Sequence, residues 1–455
     1  MIDLLGIDLG TSSVKLLLRH EDGSIEKAKC AYGVKDFAGW WQALVQAARQ
    51  LDLTNVTALG LSSQVGTYLV DEEHIIAWSA PEGFTELQET KAAFEQSVFI
   101  REITMPHPDI LSFPLPRLRY IRKTYPGASS ICMPKDLLIQ QMTGTRITDI
   151  YSWRGLADLE HGRYSRFFLD WLGIAADMLP PLAQPADCAG VVQASVTRQL
   201  GLPANTRVIV GCNDFFAGLL GMGVSNEGDL FDITGTSEHI GGIAKSALPT
   251  APPVSGRYFS GFVRYGVTGS SGAAHQFGLG LYKEKIDAAS CIARGAPLFL
   301  PYLNGERCPV CDPQASGAFV GIRGGCSNDM LAYAVKEGIA FNLRQILELL
   351  HMDGDNLLLS GGSAQDDELN QIKADILQKR VFALHEPDAS AMGAMMLAGM
   401  GCGVFADMKD AIARCRGPVR IISPRDGLFI PERFERFKEI YPALHENFDR
   451  LRRNN

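Results

Sequence analysis

The chain has 455 residues, 46% apolar and 21% charged, with 43 basic against 51 acidic side chains and a net charge of −8. That length holds two large domains or about three of ordinary size with sizeable cores, and the composition excludes a disordered chain. A mildly acidic chain without a basic run is not built for nucleic acid or an anionic membrane, and its longest weakly polar stretch, residues 391–406, falls short of the roughly 20 apolar residues of a spanning helix.

An acid at position 3 does not suit a secretory signal. Residues 4–8, 14–19 and 25–30 are short apolar runs separated by Gly10-Thr11-Ser12-Ser13 and Glu21-Asp22-Gly23, which predicts a β-meander. Phe37, Trp40, Trp41, Leu44, Val45 and Ala48 have helical spacing, so residues 36–51 are expected as a helix, followed by a buried strand at 56–61. The order strand-strand-strand-helix-strand suits an α/β layer. Residues 207–210 predict a strand running into Asn213-Asp214.

A comparable unit begins near residue 228. Residues 229–234 and 240–244 read as strands around Gly235-Thr236-Ser237, residues 328–350 as a long helix, and residues 356–360 as a strand entering Gly361-Gly362. Residues 391–406 read as a buried helix with a Gly-rich turn. The chain therefore divides into two α/β halves, residues 1–222 and 223–455, and a cleft between such halves suits a nucleotide. Gly218, Gly221 and Gly223 mark the expected hinge.

Each half carries a Gly-hydroxyl turn. In Gly6-Ile7-Asp8-Leu9-Gly10-Thr11-Ser12-Ser13 a carboxylate ends one strand and a tight turn enters the next. Gly10 admits a close anion, and the N–H and hydroxyl groups of Thr11 and Ser12 can donate to phosphate. Asp8 would repel phosphate unless a cation lay between, which implies Mg²⁺. The plain alternative for these residues is a hairpin turn with a strand-end Asp. Gly235 and Thr236 form the second turn. Asp214, at the end of a strand, could accept the proton of an attacking hydroxyl or cap a helix. Gly362 could let backbone approach a base or phosphate. Ten scattered cysteines suit reduced thiols in the cytoplasm, and Cys308-x-x-Cys311 lacks the second pair that a zinc site wants.

Together these segments resemble the FGGY family of carbohydrate kinases. The opening resembles its first phosphate motif. Residues 211–218 resemble its G-x-x-D-x-x-x-x-G segment, with the final Gly one residue early. Pro301-Tyr302 through Gly305-Glu306-Arg307-Cys308-Pro309 and Asp312-Pro313 resemble its P-Y-x-x-G-E-R-x-P-x-x-D-P signature. Pro134-Lys135-Asp136, Thr143-Gly144 and Thr148-Asp149 match a further stretch. The resemblance implies two actin-like ATPase (ribonuclease H-like) α/β domains flanking a catalytic cleft, the first on the sugar side and the second on the nucleotide side. It implies ATP and Mg²⁺ as cofactors, a sugar or polyol as substrate with a pentulose first, no nucleic acid, no membrane, a cytoplasmic setting, and it allows a homodimer.

The same resemblance assigns roles. Asp214 matches the catalytic base and Asp8 the carboxylate near the metal. Gly10, Thr11 and Ser12 match the first phosphate turn, and Gly235 and Thr236 the second. Gly272 and Gln276 line the nucleotide, Gly362 lies beside the adenosine, and Asp366 stands where glycerol kinases carry an Asn near the base. The sugar side departs from the pattern. Ser62-Ser63-Gln64-Val65-Gly66-Thr67 replaces a Q-M-H-G loop, and Ala77-Trp78-Ser79-Ala80-Pro81-Glu82 keeps only the Trp of W-x-D-x-R, followed by Pro116-Arg117-Leu118. Gln64, Trp78 and Asn213 are the substrate-facing candidates. Glu306-Arg307 could touch phosphate but is expected first as a structural ion pair, Asp232 as either a strand residue or a metal or water contact, and His239 and His275 as hydrogen bonders. Two rivals are an Hsp70- or actin-like ATPase and a degenerate kinase kept as a sugar- or nucleotide-sensing protein.

Overall fold

Strands β1 (Asp3–Leu9), β2 (Ser13–Arg19) and β3 (Ile25–Ala31) form the expected meander, and helix α1 (Phe37–Ala48) leads to β4 (Val56–Ser63). The computed structural model describes residues 2–107, 110–235, 237–250, 253–259, 261–385 and 388–453. Helix α2 (Pro114–Thr124), strands β5 (Cys188–Val191) and β6 (Arg207–Asn213), and helix α3 (Asp214–Met222) follow along the chain. The sheet runs β5-β6-β4-β1-β2-β3, with β1, β4 and β6 parallel. Register sets Asp8 beside Ser62, and Ser63 beside Asn213. The parallel strands therefore bring Asp8, Gln64 and Asp214 to one edge of the sheet, where α/β folds place their ligands.

The second unit repeats the plan. Strands β7 (Leu230–Thr234), β8 (His239–Ala244), β9 (Val254–Tyr258) and β10 (Gly261–Val267) precede helices α4 (Ser271–Leu281) and α5 (Asn328–Leu349). Strand β11 (Asn356–Gly361), helix α6 (Asp367–Leu377) and strand β12 (Arg380–Leu384) follow. With β13 (Val419–Ile422) the sheet order is β9-β10-β8-β7-β11-β12-β13. β7 and β11 are parallel, with Thr234 beside Gly361.

The stretch predicted as a buried helix is α7 (Ala389–Gly401), buried along nearly all its length. It packs on the first sheet. The compact units are accordingly Met1–Ser225 with Asp388–Arg416, and Asn226–Pro387 with Gly417–Asn455. This differs from a cut at 222/223, because a hydrophobic pattern shows that a helix is buried and not which sheet receives it.

Close approach of α7 depends on glycine. Gly6 and Gly60 are neighbours across β1 and β4. A Cβ on Gly6 would collide with the Ala391 carbonyl, and one on Gly60 with the Ala394 carbonyl. α7 meets α3 the same way: a Cβ on Gly221 would strike the Ala389 carbonyl, and one on Gly393 the Ala217 carbonyl. Gly221, expected as part of a hinge, is thus a packing residue inside a helix.

Gly60→Ala should lower stability by about 1–3 kcal/mol, the usual penalty of overpacking. Gly33→Ala, where an added Cβ meets nothing within 4 Å, should stay within about 0.5 kcal/mol. Thermal unfolding of the two variants side by side checks this; equal midpoints would refute the role given to Gly60.

Candidate active site

Asp8 is the penultimate residue of β1 and is buried, and it accepts a hydrogen bond from Ser62 Oγ at 2.9 Å. Burial raises its pKa, opposed by the Lys15 charge and the Ser62 hydroxyl and reinforced by Asp388. Lys15 pairs with Asp388 at 3.0 Å. Beyond Asp8 the chain turns through Gly10, whose N–H donates to the Ser13 carbonyl at 3.1 Å and whose carbonyl accepts from Tyr32 Oη at 3.1 Å. This turn leaves Thr11 and Ser12 exposed.

Asp214 is the first residue of α3 and is half-buried. Burial, and then the Asp8 charge, push its carboxyl up to about 7, against the Phe215 N–H and Arg154. Asn213 is fully buried, and its Oδ1 accepts from the Phe216 N–H at 3.0 Å. Its Oδ1 is therefore the helix N-cap beneath Asp214, while its Nδ2 is buried without a hydrogen-bond partner. The motif placed it next to the acid; only the helix start decides where its side chain goes.

Gln64 is buried where its N–H meets the Leu9 carbonyl at 3.0 Å, behind the first turn. Trp78 follows the hairpin Tyr68–Val70 and His74–Ile76 and is 41% exposed. Its Nε1 donates to Thr11 Oγ1 at 3.3 Å, so the structure joins these two candidates. Arg154 was not singled out in the sequence. It is buried over the rings of Phe216 at 4.8 Å and Phe215 at 5.5 Å, on the helix that carries Asp214. No local motif marks it.

In the second unit, the parallel pair β7 and β11 brings Gly235 and Gly362 to adjacent strand ends, both exposed. Thr234 knits the two ends: its Oγ1 accepts from the Ser363 N–H at 2.9 Å and donates to the Ser360 carbonyl at 3.1 Å. Gly361 has φ of +100°, and a Cβ there would collide with the Thr234 carbonyl. Thr236 lies outside the described residues. Gly272 and Gln276 fall in the first turns of α4, Gln276 exposed.

Asp366 caps α6. Its Oδ1 accepts from the N–H groups of Glu368 at 3.0 Å and Leu369 at 2.9 Å, and its Oδ2 meets His275 Nε2 at 2.7 Å and Lys336 Nζ at 3.2 Å. Burial alone would raise its pKa, but the His275 bond, the Leu369 N–H and Lys336 outweigh that and hold it well below the usual range. Its polar atoms are committed to tying α4, α5 and α6 together.

Residues 4–221 match the FGGY family of carbohydrate kinases, N-terminal domain, and residues 235–402 match the C-terminal domain of the same family. The chain belongs to the FGGY family of carbohydrate kinases. It is a sugar kinase, and its family implies ATP as the phosphoryl donor. The kinase is 27% identical to the xylulose kinase of Lactococcus lactis over 98% of this chain and 97% of that one. It is 26% identical to the xylulose kinase of Bacillus subtilis over 90% of each. Its fold matches that of a ligand-bound xylulose kinase from Lactobacillus acidophilus with a TM-score of 0.87 at 22% identity, covering 99% of this chain and 100% of that one. The fold is thus the two-domain actin-like ATPase fold, and the filament- or chaperone-type ATPase reading is set aside.

Other expectations about this kinase change. Asp232 is fully buried and bonds Lys373 Nζ at 2.7 Å, and Lys373 also holds Glu238, so Asp232 belongs to a buried ionic triad. Glu306 does not pair with the Arg307 side chain, which is exposed. It accepts the N–H groups of Gly269 and Arg307 and Asn342 Nδ2, and burial pushes its pKa to about 8 against those donors. All ten cysteines are free, and among the described residues no cluster of three metal-ligating side chains occurs. Among the described residues, no helix is long and apolar enough to cross a membrane.

Asp214 makes stability depend on pH. Its folded pKa of about 7 lies above the ordinary 3.8. Between those values the unfolded chain releases a proton that the folded kinase keeps, so stability falls as pH rises through this window. Asp214→Asn removes the penalty. Its thermal midpoint should exceed wild type by a margin that grows from about pH 5 to about pH 8. A margin that stays constant or shrinks over that range would contradict the raised pKa.

Proposed function

We propose that this kinase transfers the γ-phosphate of ATP to a terminal hydroxyl of a small sugar, a pentulose first among candidates, with Asp214 as general base. The observation that carries the reading is the placement of Asp214 at the start of α3 with a pKa near 7, on the same sheet edge as Asp8 and the Gly10 turn. A carboxylate of ordinary pKa is a weak proton acceptor; one that titrates near neutrality is deprotonated often enough and basic enough to take a hydroxyl proton. The pentulose class rests on the two xylulose kinases to which the chain is similar. Ten free thiols support a cytoplasmic setting.

Gly10, Thr11 and Ser12 would donate to the γ-phosphate. Gly235, Thr236, Gly272, Gln276 and Gly362 would hold the rest of the nucleotide on the second unit. Trp78, with its exposed flat ring, and Gln64 would bound the sugar, the ring packing against its C–H surface. Magnesium fits the residues present. It is a hard cation usually held by one or two carboxylates and phosphate oxygens, and Asp8 is a carboxylate that burial drives toward its neutral form unless a cation compensates. Asp8 would hold it, and the ion would supply charge neutralisation at the phosphates. The chain's own steps are to orient the sugar hydroxyl on Asp214, receive its proton there, and present N–H and hydroxyl donors to the phosphate.

A panel of ketopentoses, ketohexoses and polyols with ATP identifies the acceptor. On the best one, Asp214→Asn should lower kcat by about 10²–10⁴-fold with the KM for ATP little changed. Wild-type kcat should climb with pH through an acid limb near neutrality. An unchanged kcat in the variant would remove Asp214 from the role, and no turnover on any sugar would favour the sensing protein instead.

A further inference from the structure

Arg117 lies on α2 and is fully buried. Its Nη1 donates to the Glu82 carbonyl at 2.6 Å, and its Nη2 meets the carbonyls of Ala80 at 2.6 Å, Ala77 at 3.3 Å and Trp78 at 3.3 Å. Burial lowers the guanidinium pKa. Its Nε is buried without a hydrogen-bond partner. A buried cation with one orphaned donor is an expensive way to fill space, and an apolar side chain would do that better. What the guanidinium does that an apolar group cannot is draw four carbonyls of one loop to a single point.

That loop carries Trp78. Its backbone N–H donates to Thr67 Oγ1 at 3.1 Å, and its indole Nε1 donates to Thr11 Oγ1 at 3.3 Å. A threonine hydroxyl has one proton and two acceptor sites. When the indole occupies an acceptor site, the hydroxyl proton is directed away from it and stays available. Thr11 is exposed, so without the indole its hydroxyl rotates freely among water partners.

We propose that Arg117 is a positioning residue. By fixing residues 77–82 it holds the Trp78 indole on Thr11, and so aims the Thr11 hydroxyl proton at the phosphate bound by the Gly10–Ser12 turn. The proposal rests on the reading of that turn as a phosphate turn. It makes the sugar-side loop part of the phosphate site.

The test compares Trp78→Phe, Arg117→Gln, Arg117→Lys, the Arg117→Gln/Trp78→Phe double variant and Thr11→Val, with ATP and the best sugar. Trp78→Phe keeps a ring and loses the indole N–H. It should lower kcat about three- to tenfold, near the worth of one neutral hydrogen bond, with sugar KM within about twofold of wild type. Arg117→Gln should lower kcat at least as much and speed amide exchange about tenfold or more in residues 77–82, leaving the central sheet unchanged. Arg117→Lys, a cation without the planar fork, should fall between, and it carries the comparison if the Gln variant fails to fold. The double variant should be no slower than Arg117→Gln alone, because both act through one bond. A purely structural role would reduce the folded fraction and leave kcat per folded molecule intact. Unchanged kcat in Trp78→Phe, multiplying effects in the double variant, or unchanged exchange in residues 77–82 would each overturn the proposal. Thr11→Val separates the two readings. If it leaves kcat and the KM for ATP unchanged, the phosphate-turn reading fails; if it is impaired while Trp78→Phe is silent, only the positioning role fails.

Discussion

The first unit depends on how closely α7 can lie against the sheet. Its carbonyls occupy the places where Gly6 and Gly60 lack side chains, and its first turn meets α3 through Gly221 and Gly393. Ser390, at the start of α7, also donates from Oγ to the Asp214 carbonyl at 2.9 Å. One helix therefore sets β1, β4 and α3 in a single register. Those three elements carry Asp8, lead into Gln64 and begin with Asp214. A side chain at any of these glycines would change the spacing of the edge that carries Asp8 and Asp214 as well as the core, because interiors are close-packed and transmit strain.

The same edge holds an electrostatic conflict. Asp8 and Asp214 are both desolvated, and the charge on one raises the pKa of the other. A fold selected for stability alone would separate them or replace one with an amide. Keeping both destabilises the kinase at neutral pH and leaves at Asp214 a carboxyl that titrates near that pH, a compromise of the kind that clusters at functional sites. Neighbouring groups limit the conflict without removing it: Ser62 donates to Asp8, Lys15 lies across the strand from it, and the Phe215 N–H and Arg154 favour the ionised form of Asp214.

Much of this was legible in the sequence because it is local. The strand-turn-strand around Gly10, the helix opened by Asn213-Asp214 and the pair Gly361-Gly362 each depend on residues adjacent in the chain. What stayed hidden depends on which segments meet. The pattern of residues 391–406 announces a buried helix but not its destination. Asn213 reads as a polar residue in a motif and proves to be a cap, since its Oδ1 is taken by Phe216. Asp232 reads as a lone strand acid and finds Lys373 from a helix about 140 residues later, at a sequence separation of 141. Glu306-Arg307 suggests an ion pair by adjacency, yet the glutamate turns to the Gly269 and Arg307 amides and Asn342. Long-range pairing of buried polar groups is decided by packing geometry, which one-dimensional periodicity does not encode.

The two Gly-hydroxyl turns show one solution to a shared problem. A loop that must approach phosphate has to be small and open, which leaves it few contacts of its own. Each unit supplies rigidity from behind with a buried cation. In the second unit Lys373 grips Asp232 on the strand entering the turn and Glu238 on the segment leaving it. Burial would strip the lysine of its proton, but the Asp232 and then the Glu238 charges outweigh that and raise its pKa. In the first unit the guanidinium of Arg117 gathers the loop whose indole reaches Thr11. The chemistry differs, with carboxylates answering one cation and carbonyl dipoles the other. The consequence is common to both: a buried cation holds the chain beside each turn, and under the proposed reading of the turns as phosphate sites this is the arrangement that electrostatic preorganisation requires.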